Sequence, residues 1–126
     1  MRLSWLLTAL LLAALMLGLH VFALETYFYW QYLWFDIPMH ILGGAALAAF
    51  IIALIGRRRP LLLFLGMLAV VVGWEVFEYI AKIPADAEGY LHDTAFDIVN
   101  GLVGASILYA IARVQLKREV RRGKDI

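Results

Sequence analysis

FDIPMHILGGAALAAFIIALIGRRRP, residues 35–60, is an apolar run closed by a basic stop. Residues 35–55 carry only Asp36 and His40 as ionisable groups, and the run then stops at Arg57, Arg58, Arg59 and Pro60. A helix rising 1.5 Å per residue needs about 20 apolar residues to cross roughly 30 Å of hydrocarbon. This run has that length. It lacks the alternation of a barrel strand and is dominated by Leu, Ala and Ile, so it reads as a transmembrane helix.

Three more runs of the same kind flank it: residues 3–24, 61–83 and 95–114. The expected fold is therefore all-α, a single integral membrane domain spanning residues 1–126 with four transmembrane helices. A basic tail, residues 115–126, follows and is expected to fray beyond Gly123. The chain is 64% hydrophobic over 126 residues, with a mean hydropathy of +0.84. Soluble chains run roughly 45–50% apolar, so a soluble domain this small is excluded. Cysteine is absent, which excludes disulfides and thiolate metal sites.

Orientation follows from Lys and Arg. With the N-terminus inside, the cytoplasmic set is Arg2, Arg57, Arg58, Arg59, Arg113, Lys117, Arg118, Arg121, Arg122 and Lys124, and the outside keeps Lys82. That asymmetry predicts both termini in the cytoplasm and a multi-pass protein of the inner (plasma) membrane. The two outer connections are acidic and aromatic. Tyr27, Phe28, Tyr29, Trp30, Tyr32, Trp34 and Phe35 read as an interfacial aromatic belt, or as a stacking surface for headgroups or glycans. Met1-Arg2, the apolar run and Val21-Phe22-Ala23 also have the form of a secretory signal, but the run exceeds the 7–15 residues of a signal core, so an uncleaved helix is expected.

Three polar clusters interrupt the helices at helical spacing. Asp36 and His40 lie four apart, Glu75 and Glu78 three apart, and Asp93, Asp97 and Asn100 are spaced by four and three. Such residues share a helix face. The second and fourth helices enter from outside and the third leaves toward it, so all three clusters fall at a similar depth in the outer leaflet. Carboxylates in a membrane face a partner or a cavity, which predicts a shared pocket of Asp36, His40, Glu75, Glu78, Asp93, Asp97 and Asn100. Local readings compete: Asp36 before Pro38 as a helix N-cap, Thr94 with Asp97 as a capping box, His20 as an isolated interfacial histidine, His92 as solvated, and the rest as a hydrogen-bond network.

Carboxylates with one imidazole and one amide form a hard, oxygen-rich ligand set. It suits a divalent metal ion, Mg²⁺, Mn²⁺ or Ca²⁺, or Zn²⁺ if His40 joins. The metal ligands expected are His40, Glu75, Glu78 and Asp97. The alternative is no cofactor, with the same groups protonated or carrying acid–base chemistry or a proton relay.

Asp36-Ile-Pro-Met-His40, Glu75-Val-Phe-Glu78 and Asp93-Thr-Ala-Phe-Asp97-Ile-Val-Asn100 resemble the VanZ-like superfamily, nearest to its YjdF-like branch of predicted bacterial inner-membrane proteins. The resemblance covers roughly residues 33–110. Its pattern of an Asp and His four apart, a Glu with a second polar residue three later, and an Asp with Asn three later falls on Asp36, His40, Glu75, Glu78, Asp97 and Asn100. The chain departs from it in lacking Pro-Gly-Arg after the central Glu and in having Glu78 where Gln is usual. VanZ itself is associated with low-level teicoplanin resistance; the resemblance implies a role at the cell envelope and does not name a reaction. Two functions are expected to compete: a binding protein for cell-envelope maintenance, holding a divalent cation or lipid headgroup, and a membrane-embedded metal-dependent hydrolase or transferase acting on a lipid. A proton-coupled transporter is a third. The expected partners are the lipid bilayer and a lipid headgroup or envelope precursor, with no nucleic acid; oligomeric state stays open.

Overall fold

The computed structural model describes residues 2–81 and 90–123. Within them are five α-helices and one 3-10 turn: α1 (Arg2–Glu25), α2 (Phe28–Gln31), the turn Leu33–Phe35, α3 (Asp36–Ile55), α4 (Pro60–Ala81) and α5 (Tyr90–Arg121). No strand occurs among the described residues, and four helices are long and apolar enough to cross a membrane. Lys82, the basic residue placed outside, and Pro84, Asp86, Glu88 and Gly89 of the polar connection after the third run lie outside the described residues.

α3 is the hub. It packs against α1 and α5 along most of its length and against α4 less extensively. Its core face is built from small residues: Ala48 and Ala49 are fully buried, as is Ala112 opposite them on α5. Small side chains let transmembrane backbones approach, because apolar attraction between helices is absent in lipid and close contact must supply the association. The closest approach is at glycine. A Cβ on Gly44 would stand 1.9 Å from the carbonyl oxygen of Gly101, and one on Gly104 would stand 1.9 Å from that of Ile41. Trp5, Ile52, Met67 and Leu108 complete the core. Large side chains such as Leu11, Leu61, Phe77 and Ile107 instead point outward. Such an apolar exterior is unfavourable in water and suited to lipid.

α5 extends beyond the apolar stretch 95–114 at both ends. Its 32 residues make a helix about 48 Å long, longer than the hydrocarbon. The segment after Val114 has little hydropathy but good helix formers, Gln115 to Arg121, and Arg118 and Arg121 in the last turn favour the helix dipole. The helix stops at Gly123, whose positive φ of 64° ends it in the left-handed region. Residues 115–121 of the expected tail are therefore helical, and residues 124–126 lie outside the described residues.

The two local capping readings do not hold. Asp36 has helical φ/ψ, so it is already inside α3, and its side chain turns to His40. Thr94 and Asp97 lie in the interior of a helix that begins at Tyr90.

Both chain ends meet at one end of the bundle. Arg2 of α1, Leu116 of α5 and the α3–α4 connection, Gly56 to Arg59, line one hollow there. Gly56, at φ 83°, turns the chain out of α3. The connection is then fastened to α5: Tyr109 Oη and Arg113 Nη1 donate to the Arg57 carbonyl at 3.2 and 3.4 Å, and Arg57 Nη2 donates to Glu119 Oε2 at 2.6 Å.

Candidate functional site

At the opposite end, the first turns of α3 bring their polar residues against α5. Four residues of helix carry Asp36 round to the face of His40, and His40 Nε2 stands 3.3 Å from Asp36 Oδ2. The same nitrogen stands 3.4 Å from Asp97 Oδ1 on α5. One ligand atom from each of the three residues falls within 4.8 Å of the others. The glycine contacts between α3 and α5 hold this spacing, since Gly44 and Gly101 each lie one turn beyond His40 and Asp97.

An imidazole ring nitrogen carries at most one proton, so Nε2 can give only one of the two carboxylates a full hydrogen bond. Two carboxylates against one imidazole leave negative charge that a shared proton or a bound cation must compensate. Asp97 is buried and Asp36 and His40 are half-buried, so water does this incompletely.

Asp36 and His40 line a cleft of about 510 Å³, within the range of small-molecule sites, and Asp97 meets His40 outside that lining. α1 and α4 form its walls and α3 its floor. Asp36, His40, Glu75, Glu78, His20 and Tyr29 supply its polar groups; Met16, Leu17, Leu47, Val70, Val71 and Trp74 supply apolar surface. Leu17, Val70 and Trp74 are also exposed on the bundle exterior, so the apolar wall continues out to where lipid lies. Glu75 is buried and Glu78 half-buried.

The residues expected to share a pocket thus divide. Asp36, His40 and Asp97 form one cluster, and Glu75 and Glu78 line the cleft beside it. Asn100 lies one turn along α5 from Asp97; its Nδ2 is buried and has no hydrogen-bond partner among the described residues. Asp93 is exposed in the first turn of α5 and does not line the cleft. His92 is likewise exposed, with its ring against Phe96 at 4.7 Å.

Two cleft residues were not among those expected. His20, read as isolated, has Nδ1 2.8 Å from Tyr29 Oη, and the pair closes one side of the cleft. Tyr29 belongs by sequence to the aromatic belt. Burial, and next the nearby Asp36 carboxylate, raise the Tyr29 phenol above its ordinary 10.0, so it stays protonated at neutral pH. The rest of the aromatic segment also splits. Phe28 stacks with Tyr32 and Phe35 at 4.4 and 4.9 Å, whereas Tyr27, Trp30 and Trp34 are exposed.

Fold and site together define a multi-pass helical membrane protein with a polar-floored cleft at one end of its bundle. The chain belongs to the DUF2238 family of predicted membrane proteins, which it matches over residues 1–118. No curated protein and no solved structure matches it.

Proposed function

We propose that this protein binds a divalent cation between Asp36, His40 and Asp97, and through it the anionic headgroup of a lipid whose chains lie along the apolar wall of the cleft. The observation that carries the reading is the convergence of three ligand atoms within 4.8 Å at the border of an apolar cleft. The ligand set is mixed. Two carboxylates suit Mg²⁺, Mn²⁺ or Ca²⁺, and the imidazole moves preference toward Zn²⁺. Glu75 and Glu78 stand ready as further oxygen ligands from α4. The VanZ-like resemblance falls on these same positions and supports a role in envelope maintenance.

The test is thermal unfolding in detergent after chelation, followed by separate addition of Mg²⁺, Mn²⁺, Ca²⁺ or Zn²⁺. A ligand that binds only the folded state stabilises it by about 2.7 kcal/mol at a hundred times its dissociation constant. A rise in midpoint with one ion, lost in His40→Gln and Asp97→Asn, is the expected result. No rise with any ion, and no metal in the purified protein, overturns the reading in favour of a proton shared within the triad.

A metal-dependent lipid hydrolase or transferase is the second reading. It is favoured by Glu75 and Glu78, which line the cleft outside the triad where a general base is needed. Lipid mass spectrometry separates the two: retention of an unchanged lipid supports binding, and turnover that fails in Glu78→Gln supports the enzyme.

The basic asymmetry supports cytoplasmic termini in the inner membrane, with the cleft facing outward. Reporter fusions after Arg59 and at the C-terminus are expected to report cytoplasm, and a fusion near Glu88 the opposite side. A cytoplasmic signal near Glu88 reverses the orientation and the leaflet of the site.

A further inference from the structure

The end of the bundle away from the triad holds a second hollow, of about 380 Å³, lined by Arg2, Arg57, Arg58, Arg59 and Trp5. The arginines come from two places in the chain. Arg2 opens α1, and the other three form the α3–α4 connection. A cluster that only directs membrane insertion needs charge on the correct side and no shape. This cluster has a shape. The carbonyl of Arg57 is held by Tyr109 and Arg113, and its guanidinium is engaged by Glu119. The connection is therefore fixed, and Arg58 and Arg59 extend from a fixed backbone beside Arg2. Among the described residues no ion pair engages Arg2, Arg58 or Arg59. Trp5 is buried beneath them and closes the apolar side of the hollow.

We infer that this hollow is a phosphate-binding site for an anionic headgroup at the membrane surface. The guanidinium presents parallel N–H donors that match phosphate oxygens two at a time, and it sheds hydration more readily than an ammonium. Basic pockets between transmembrane helices bind anionic lipid headgroups in the same way. Ile52, Ile55 and Leu116 in the lining give the glycerol and acyl portion an apolar contact that a free ion lacks. The site is independent of the triad, which lies at the other end of α3.

The experiment uses the delipidated full-length protein in detergent, titrated with phosphatidylglycerol, with a diacylglycerol lacking phosphate, and with inorganic phosphate, and followed by native mass spectrometry. Phosphatidylglycerol is expected to bind at least tenfold more tightly than the diacylglycerol. The double variant R58K/R59K keeps every charge, and so its insertion, but loses the planar donor fork; its affinity is expected to fall about tenfold, the worth of one charge-assisted hydrogen bond. The control K117Q/R121Q, which removes two exposed charges outside the hollow, is expected to bind as the unaltered protein does. Failure of inorganic phosphate to compete assigns the site to lipid phosphate; full competition assigns it to the free ion, and both uphold it. Equal binding of phosphatidylglycerol and diacylglycerol overturns the inference. So does a loss in K117Q/R121Q as large as that in R58K/R59K, which leaves only diffuse attraction between a basic end and an anionic lipid.

Discussion

Gly104→Ala is expected to destabilise the folded protein by about 3 kcal/mol or more, the upper end of overpacking costs. The new methyl group would meet Ile41 backbone at 1.9 Å from the oxygen, 2.7 Å from the carbon and 3.0 Å from Cα. Cβ atoms do not sit within 3.0 Å of such atoms, so α5 has to withdraw by more than 1 Å. A flexible side chain would rotate away; a carbonyl inside a helix cannot, because it is held by its own hydrogen bond and by the neighbouring turns. Gly44→Ala meets the same obstacle at the carbonyl of Gly101. Withdrawal also carries Asp97 away from His40, so any metal-dependent rise in midpoint should vanish together with the stability. The comparison is internal. Gly18 and Gly73 lie in helix interiors with nothing within 4 Å of an added Cβ, and alanine there is expected to stabilise by up to about 1 kcal/mol through helix propensity alone. Unfolding midpoints of the four single variants in one detergent check this. Equal changes at all four positions would mean that α3 and α5 do not pack through their glycines.

That contrast also shows where the sequence was informative. Gly43, Gly44, Gly101 and Gly104 are all visible as small residues near polar ones, yet only the packing distinguishes Gly44 and Gly104, whose neighbours are backbone, from Gly43, whose neighbour is the flexible Met16 side chain at 3.1 Å. The four apolar helices were legible because crossing hydrocarbon sets a length that composition must meet. The common depth of Asp36, His40 and Asp97 was legible because Asp36 and His40 share a face by local spacing, and because the hydropathy pattern starts α3 and α5 from the same side; that Asp36, rather than Glu75 or Glu78, completes the cluster was not. Helix ends were less legible. Hydropathy reports where a helix lies in lipid, not where it starts or stops, so the polar turns of α5 before Ala95 and after Val114 left no trace in it. Asp93 was grouped with Asp97 by spacing alone; the helix places it in its exposed first turn.

The pairing of His20 with Tyr29 had no sequence signal. It depends on Tyr27, a non-glycine residue at φ 56°, which turns the chain after α1 and sets α2 back over the cleft. Glycine or asparagine at that position would have marked a left-handed turn; an aromatic residue does not. The aromatic segment is therefore doing two things at once. Its exposed members present rings outward, while Phe28, Tyr29 and Phe35 pack inward and fix the wall that carries Tyr29.

Removal of Glu119 is expected to cost more than removal of the arginine it binds. The Arg57 side chain is 4% exposed and that of Glu119 is 29% exposed. Glu119→Ala takes away the carboxylate 2.6 Å from a guanidinium that water scarcely reaches. Breaking a buried pair from one side costs about 3–5 kcal/mol, because the remaining charge loses that partner where water is scarce. The expected loss is at the lower end, about 3 kcal/mol, since this end of the bundle borders water. Arg57→Met keeps most of the side-chain volume and removes the buried charge altogether, and the carboxylate it leaves behind hydrates by a small rotation. Replacing a buried ion by an apolar side chain of similar size is often near neutral, so this variant is expected within about 1 kcal/mol of the unaltered protein. The double variant Arg57→Met with Glu119→Ala should then resemble Arg57→Met alone, giving a coupling of roughly 3 kcal/mol, the upper end of the range seen for side chains that share one interaction. Four unfolding midpoints, of the unaltered protein and the three variants, measured in the same detergent decide it. Additive losses would show that the ion pair only lies beside the Tyr109 and Arg113 contacts to the Arg57 carbonyl, which then hold the α3–α4 connection to α5; a larger loss in Arg57→Met than in Glu119→Ala would show that the guanidinium acts through more than Glu119.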